Sequence, residues 1–224
     1  MVLLCKLGEV RKKSTESESE PRWPVLVALF AVAGMYLALP EYLTVGPSWF
    51  LPAAVGALAV PTLVFHRIGR HRLDRTLGFL INGIVTAGLI ASLVLLLTRL
   101  PARREAPGDL LRAAGALWAT NVVVFALWYW RLDAGGPHRR DSRTRHTEGA
   151  FFFPQMIEGA PVSQAAPWSP RFIDYLFIAF NTSAAFSPTD TPVLDRWAKV
   201  LSMLQAVISL LVVVILGSRA VGLL

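Results

Sequence analysis

The chain reads as an all-α, polytopic bundle of transmembrane helices, and three observations predict that class. First, 54% of its 224 residues are hydrophobic and only 17% charged, with a mean hydropathy of +0.50, whereas a soluble domain is about one quarter charged. Second, the apolar residues fall into five long runs at 23–39, 49–65, 77–97, 111–130 and 198–216. Each approaches or exceeds the roughly 17–25 residues that cross a bilayer as a helix. Third, the runs are continuous and lack the alternating dyad of a membrane strand, which excludes a β-barrel. A sixth run, 172–186, is shorter and more polar. About six membrane helices are therefore expected, the fifth of them short and either spanning at low tilt or re-entrant, with the spanning form favoured.

Residues 1–22 form a tail. The segment 11–22 (RKKSTESESEPR) mixes both charge signs with Ser and Glu and reads as solvated and disordered. The stretch before it is too short and too charged for a cleavable signal. Cys5 is the single cysteine, so neither a disulfide within the chain nor a multi-cysteine metal site is available.

Residues 23–131 are expected to hold four transmembrane helices. Small residues recur every four positions at Gly83, Ala87 and Ala91, at Ala53 and Ala57, and at Gly115 and Ala119, a spacing that lets helix backbones approach closely in lipid. Asn82, Thr120 and Asn121 are polar within spans. Interhelical hydrogen bonds of about 1 kcal/mol each are the plain account of them, and a solute path the sharper one.

Residues 132–168 connect. Gly135-Gly136-Pro137 supplies left-handed geometry and then forbids helix continuation, a helix stop. The tract 138–146 (HRRDSRTRH) is basic: a topology anchor, or a contact for anionic lipid headgroups through Arg139, Arg140, Arg143 and Arg145. Phe151, Phe152 and Phe153 before Pro154 suggest an interfacial segment or a plug between helices.

Residues 169–224 are expected to form a helix–loop–helix hairpin with the densest chemistry. Ser169-Pro170 reads as a helix start, and so does Ser187-Pro188, with Thr191-Pro192 as a second start. Asp174 lies in the first turn of the short helix, where the dipole favours a carboxylate. Asn181, Thr182, Ser183, Ser187, Thr189, Asp190 and Thr191 gather within eleven residues, and Ser202, Gln205 and Ser209 answer from one face of the last helix. These eleven residues, Asp174 included, could line an ion or solute path or simply bond helices together.

Positive charge sets the orientation. With six spans and both termini cytoplasmic, sixteen Lys and Arg fall inside and six outside, as the positive-inside rule requires of a bacterial inner-membrane protein. The formal charge of +7 sits in short loops beside apolar spans and so argues for topology and not for nucleic-acid binding.

The segment 168–224 resembles the carboxy-terminal part of a family of uncharacterised bacterial multi-pass membrane proteins, a domain of unknown function. The residues that carry the resemblance are Asp174-Tyr175-Leu176, AFSPTDT at 185–191, Arg196-Trp197-Ala198-Lys199 and Ser218-Arg219-Ala220-Val221, with Trp128 to Arg131, Asp133 to Pro137 and Phe153 to Gln155 upstream. The family implies no activity. The hairpin is also similar in architecture to the pore module of tetrameric potassium channels, which implies a homo-oligomer, a tetramer if pore-like. Aligning Asp190 with the acid after the channel filter puts Ser187 and Thr189 where filter glycines stand, and Pro188 fixes φ near −65°. Both departures argue against potassium selectivity.

Enzyme motifs are absent: there is no His-Glu-x-x-His, Gly-x-Ser-x-Gly or phosphate-cradling glycine loop. No catalytic residue, cofactor or metal is expected. The function expected is a channel-like or transporter-like oligomer, with a structural or accessory membrane protein as the alternative and an intramembrane enzyme third.

Overall fold

The computed structural model describes residues 20–68, 70–99, 107–142, 148–157, 168–187 and 190–221. The expected positions of Thr189, Arg143 and Arg145 lie outside them. Seven helices are described: α1 (Trp23–Leu37), α2 (Phe50–Arg67), α3 (His71–Arg99), α4 (Pro107–Leu132), the single-turn α5 (Pro137–Asp141), α6 (Phe172–Ala184) and α7 (Arg196–Val221). Three helical stretches are long and apolar enough to cross a membrane: Arg72–Arg99, Gly108–Gly135 and Arg196–Ile215. Two shorter apolar helices, α1 and α2, accompany them. Large apolar side chains such as Phe30, Leu80, Val94, Val207 and Val214 stay exposed along the outside. A helical membrane protein is the class these features define.

α4 is the centre of the bundle, packed against α1, α3, α6 and α7, while α2 leans on α1 and α3 at the periphery. Its far end stops where glycine geometry demands. Ala134, Gly135 and Gly136 take φ of 51°, 83° and 95°, and the Gly136 N–H bonds Asp133 O at 2.9 Å. A Cβ on Gly136 would lie 2.9 Å from Arg131 O, so both space and torsion select glycine. The expected small-residue seam is different. Gly83 and Gly115 are exposed and nothing lies within 4 Å of a Cβ built there. The close approaches occur at Gly88, against Leu51, and at Gly78, against Arg131.

The helix directions overturn one expectation. α6 starts beside the end of α4, where Phe172 meets Trp130 at 6.2 Å and the Tyr175 hydroxyl donates to Asp133. It finishes halfway along α4, where Ser183 meets Trp118 and Asn121. α7 starts at the same end as α6: Trp197 packs on Phe151, Ser202 meets Tyr129 and Ser209 meets Asn121. The two helices are therefore parallel, and 185–195 carries the chain back between them. An antiparallel bridge, Phe151 with Val193, receives it, with Phe152 N–H donating to Pro192 O at 2.9 Å and Leu194 N–H to Ala150 O at 2.7 Å. A short helix delivering the chain to the opposite end was expected instead. At 1.5 Å per residue α6 is only about 20 Å long, and its bonds hold it in one half of the bundle.

Local caps differ too. α6 begins at Phe172 with Arg171 as its cap, and Asp174 Oδ2 accepts the Arg171 N–H at 2.7 Å; Ser169 takes no part in this cap. α7 begins at Arg196, not near Ser187 or Thr191, with Lys199 N–H donating to Asp195 O at 3.1 Å.

Candidate functional site

Three layers surround α6. The first is a buried polar knot at half depth. Gln205 Nε2 donates to Ala179 O at 2.6 Å and to Ser183 Oγ at 2.8 Å, and Gln205 Oε1 accepts from the Tyr129 hydroxyl at 2.7 Å. Tyr129 also reaches Ser202 Oγ at 3.3 Å. Asn121 Nδ2 donates to Ser209 Oγ at 2.9 Å and to the Gln205 main-chain oxygen at 3.2 Å. All these residues are buried. Burying so many polar atoms in an apolar bundle is tolerable because all of their side-chain polar atoms but Asn121 Oδ1 find partners in one another. Thr182 belongs to neither side of the knot: its hydroxyl bonds Ile178 O within the helix.

The second layer is the return segment. Ala185, Phe186 and Ser187 are exposed, as is Asp190, while Thr191 is buried. The Ala185 N–H closes the last turn on Asn181 O at 2.7 Å. Phe186 then adopts φ of 55°, a left-handed conformation that costs a bulky residue roughly 1–2 kcal/mol. Helices usually place glycine there. Phe186→Gly is expected to raise stability by about 1 kcal/mol, read as a higher thermal midpoint in detergent; a lower midpoint would mean that ring contacts outweigh the strain. Two amide atoms near this depth, Asn121 Oδ1 and Asn181 Nδ2, are buried without a hydrogen-bond partner among the described residues.

The third layer lies at the end of the bundle where α6 and α7 begin. Asp133, wholly buried, accepts the Ala150 N–H at 2.5 Å and the Tyr175 hydroxyl at 2.6 Å. Arg140 is 2% exposed: its Nη1 donates to the carbonyls of Trp130 at 2.7 Å and Asp133 at 2.9 Å, and its guanidinium lies 4.9 Å over the Tyr175 ring. Arg140 is thus a core residue and not a headgroup contact. Glu20 accepts Trp130 Nε1–H at 2.8 Å and the orphan N–H of Phe172 at 2.5 Å, so the tail caps α6 from a distance. Burial pushes the Glu20 carboxyl above its usual range, and these two bonds with Arg140 and Arg22 pull it partly back. Phe151 and Phe153 plug the space between, ringed by Tyr129, Tyr175, Trp168 and Trp197.

Of the residues expected from sequence, the knot unites Ser183, Ser202, Gln205 and Ser209, while Asp174 serves as a cap and Asp190 stands apart on the surface. Tyr129, Asp133 and Glu20 were not among them. Tyr129 lies eight residues from Asn121 on one face of α4, a periodicity that could have paired them; nothing local marks Glu20. Among the described residues no group of three or more His, Cys, Asp or Glu could hold a metal ion. Comparison with models of known families, with curated proteins and with solved structures finds no match to this chain.

Proposed function

We propose that the chain is a channel-like or transporter-like homo-oligomer of a bacterial inner membrane, with its ion or solute path beside the 185–191 loop. In this reading α1, α2, α3, α4 and α7 cross the bilayer, and α6 enters and returns as a re-entrant arm. The observation that carries it is the non-helical backbone of 185–187, exposed at the depth where α6 stops. Lipid cannot satisfy such backbone; it is tolerated only inside protein or along a water-filled cavity. A partner copy, in a four-fold assembly, would supply that cover. The carbonyl end of α6 points the negative end of its dipole toward the loop, which favours a cation. The buried, unpartnered amide atoms of Asn121 and Asn181 suit contact with water there.

Charge supports the orientation. With a re-entrant arm, seventeen Lys and Arg belong to the end where α6 enters and five to the other, a stronger bias than six full spans give. The entering end is then cytoplasmic, with the amino terminus on that side and the carboxy terminus across the membrane.

The test is cation flux through liposomes holding the full-length protein. Asp190→Asn, at an exposed position, is expected to lower flux several-fold while oligomer size and thermal midpoint in detergent stay as they were. A monomeric wild type with no flux would sink the proposal. The mutual satisfaction of the knot favours the alternative, an accessory membrane protein; it predicts no flux and co-purification with a partner.

A further inference from the structure

A cavity of about 290 Å³ opens between α1, α2, α3 and the turn at 135–139. Five arginines line it, Arg22, Arg72, Arg75, Arg131 and Arg139, together with Asp74. Arg22 also pairs with Asp141 at 3.6 Å, which leaves a clear excess of positive charge. Arg131 is only 9% exposed. It is admitted because residue 78 is glycine, where a Cβ would lie 1.7 Å from its Nη1. Its Nε donates to Asn82 Oδ1 at 3.4 Å, and the guanidinium groups of Arg22 and Arg131 both lie over the Trp130 ring, at 5.1 and 5.5 Å. Arg22 Nε is buried with no hydrogen-bond partner among the described residues.

Arg131 is buried and Arg22 half-buried, while Arg72, Arg75 and Arg139 are exposed; a cleft lined by one sign of charge focuses its field and concentrates counter-ions. Guanidinium forks match phosphate oxygens in pairs, which makes phosphate the anion that suits several arginines at once. The lining further from the helix ends is apolar and includes Val25, Leu29, Ala59, Leu63 and Ile81. A basic rim over an apolar floor, near the helix ends of a membrane protein, fits an amphiphile whose charge stays at the surface. The volume lies at the low end for small-molecule sites, enough for a headgroup and its first methylenes.

We infer that this cavity binds an anionic phospholipid, its phosphate held by Arg72, Arg75 and Arg131 and its first acyl methylenes on the Val25–Leu29–Ala59 floor. The site is separate from the 185–191 loop and does not depend on transport. It also differs from a surface field over 138–146, because a pocket discriminates by shape as well as charge.

The test is binding to the full-length protein in neutral detergent, by calorimetry and native mass spectrometry, of dioctanoyl phosphatidic acid, dioctanoyl phosphatidylcholine and inorganic phosphate. Phosphatidic acid should bind saturably and at least tenfold more tightly than either of the others. Arg72→Gln with Arg75→Gln, both exposed, should weaken it at least tenfold. Ala59→Phe, filling the floor, should weaken the lipid while leaving inorganic phosphate unchanged. Absence of saturable lipid binding, or wild-type affinity in both variants, overturns the site. Inorganic phosphate binding as tightly as phosphatidic acid overturns the lipid assignment and identifies a free-phosphate site.

Discussion

Gln205→Leu is expected to destabilise the protein by about 2–4 kcal/mol and to loosen the α6 arm from the bundle. Leucine is one atom shorter than glutamine but similar in volume, and it suits an apolar helix, so the loss reports mainly hydrogen bonds. Three are removed together: to Ala179 O, to Ser183 Oγ and from the Tyr129 hydroxyl. An interhelical hydrogen bond in a membrane protein averages roughly 0.6 kcal/mol and reaches about 1.7. Here all three partners are buried, while Tyr129 keeps Ser202 and Ser183 Oγ keeps Asn121 Nδ2 at 3.5 Å, which places the sum between those limits. The measurement is the thermal midpoint in detergent, with amide exchange of 172–184 as the local readout. Exchange there should rise more than in α3, which does not touch the knot. A midpoint within experimental error of wild type would show that the Gln205 bonds do not hold the arm.

Asp133→Ala is expected to cost more, about 3–5 kcal/mol. Its carboxylate is the only described acceptor for the Ala150 N–H, and it holds the Tyr175 hydroxyl. Removing it leaves both donors buried, and takes away a buried negative charge from the cluster that contains Arg140. Because Ala150 receives the return segment through Leu194, the damage should spread to 190–195. A graded series separates the contributions: Asp133→Ala should be worst, Asp133→Asn intermediate because it keeps shape and one acceptor, and Tyr175→Phe mildest at about 1 kcal/mol. Equal losses across the three variants would mean that the cavity left behind, and not the hydrogen bonds, sets the cost.

Both variants act on residues that sequence reading weighs unevenly. Gln205 stands out as a polar side chain on an apolar helix with Ser202 and Ser209 at helical spacing. Its partners do not stand out, because Tyr129 and Asn121 lie more than seventy residues away. Asp133 looks like an ordinary polar residue in a helix-stopping turn, yet it is wholly buried. Arg140 reads as one of a solvated basic tract for the same reason: charge suggests exposure, and only the surrounding rings and the two carbonyls on Nη1 show that burial is partly compensated, with Nε and Nη2 buried without a hydrogen-bond partner among the described residues.

Sequence alone therefore determined the membrane class, the approximate place of every helix but the single-turn α5, and the glycine stop after α4. Run length, hydropathy and a left-handed turn are properties of neighbouring residues, and no distant contact is needed to read them. The tertiary structure decided the direction of α6 relative to α7. Moving Arg196 and Lys199 to the other end, with Arg219 moving the opposite way, changes the count only from sixteen against six to seventeen against five, too small a difference for charge counting alone to choose between a span and a returning arm. The relative direction of the two helices rests on Trp197 meeting Phe151 and on the bridge at Val193, contacts between segments about forty residues apart. The AFSPTDT loop was visible as a polar break; its setting beside a buried knot comes from packing that brings three helices together.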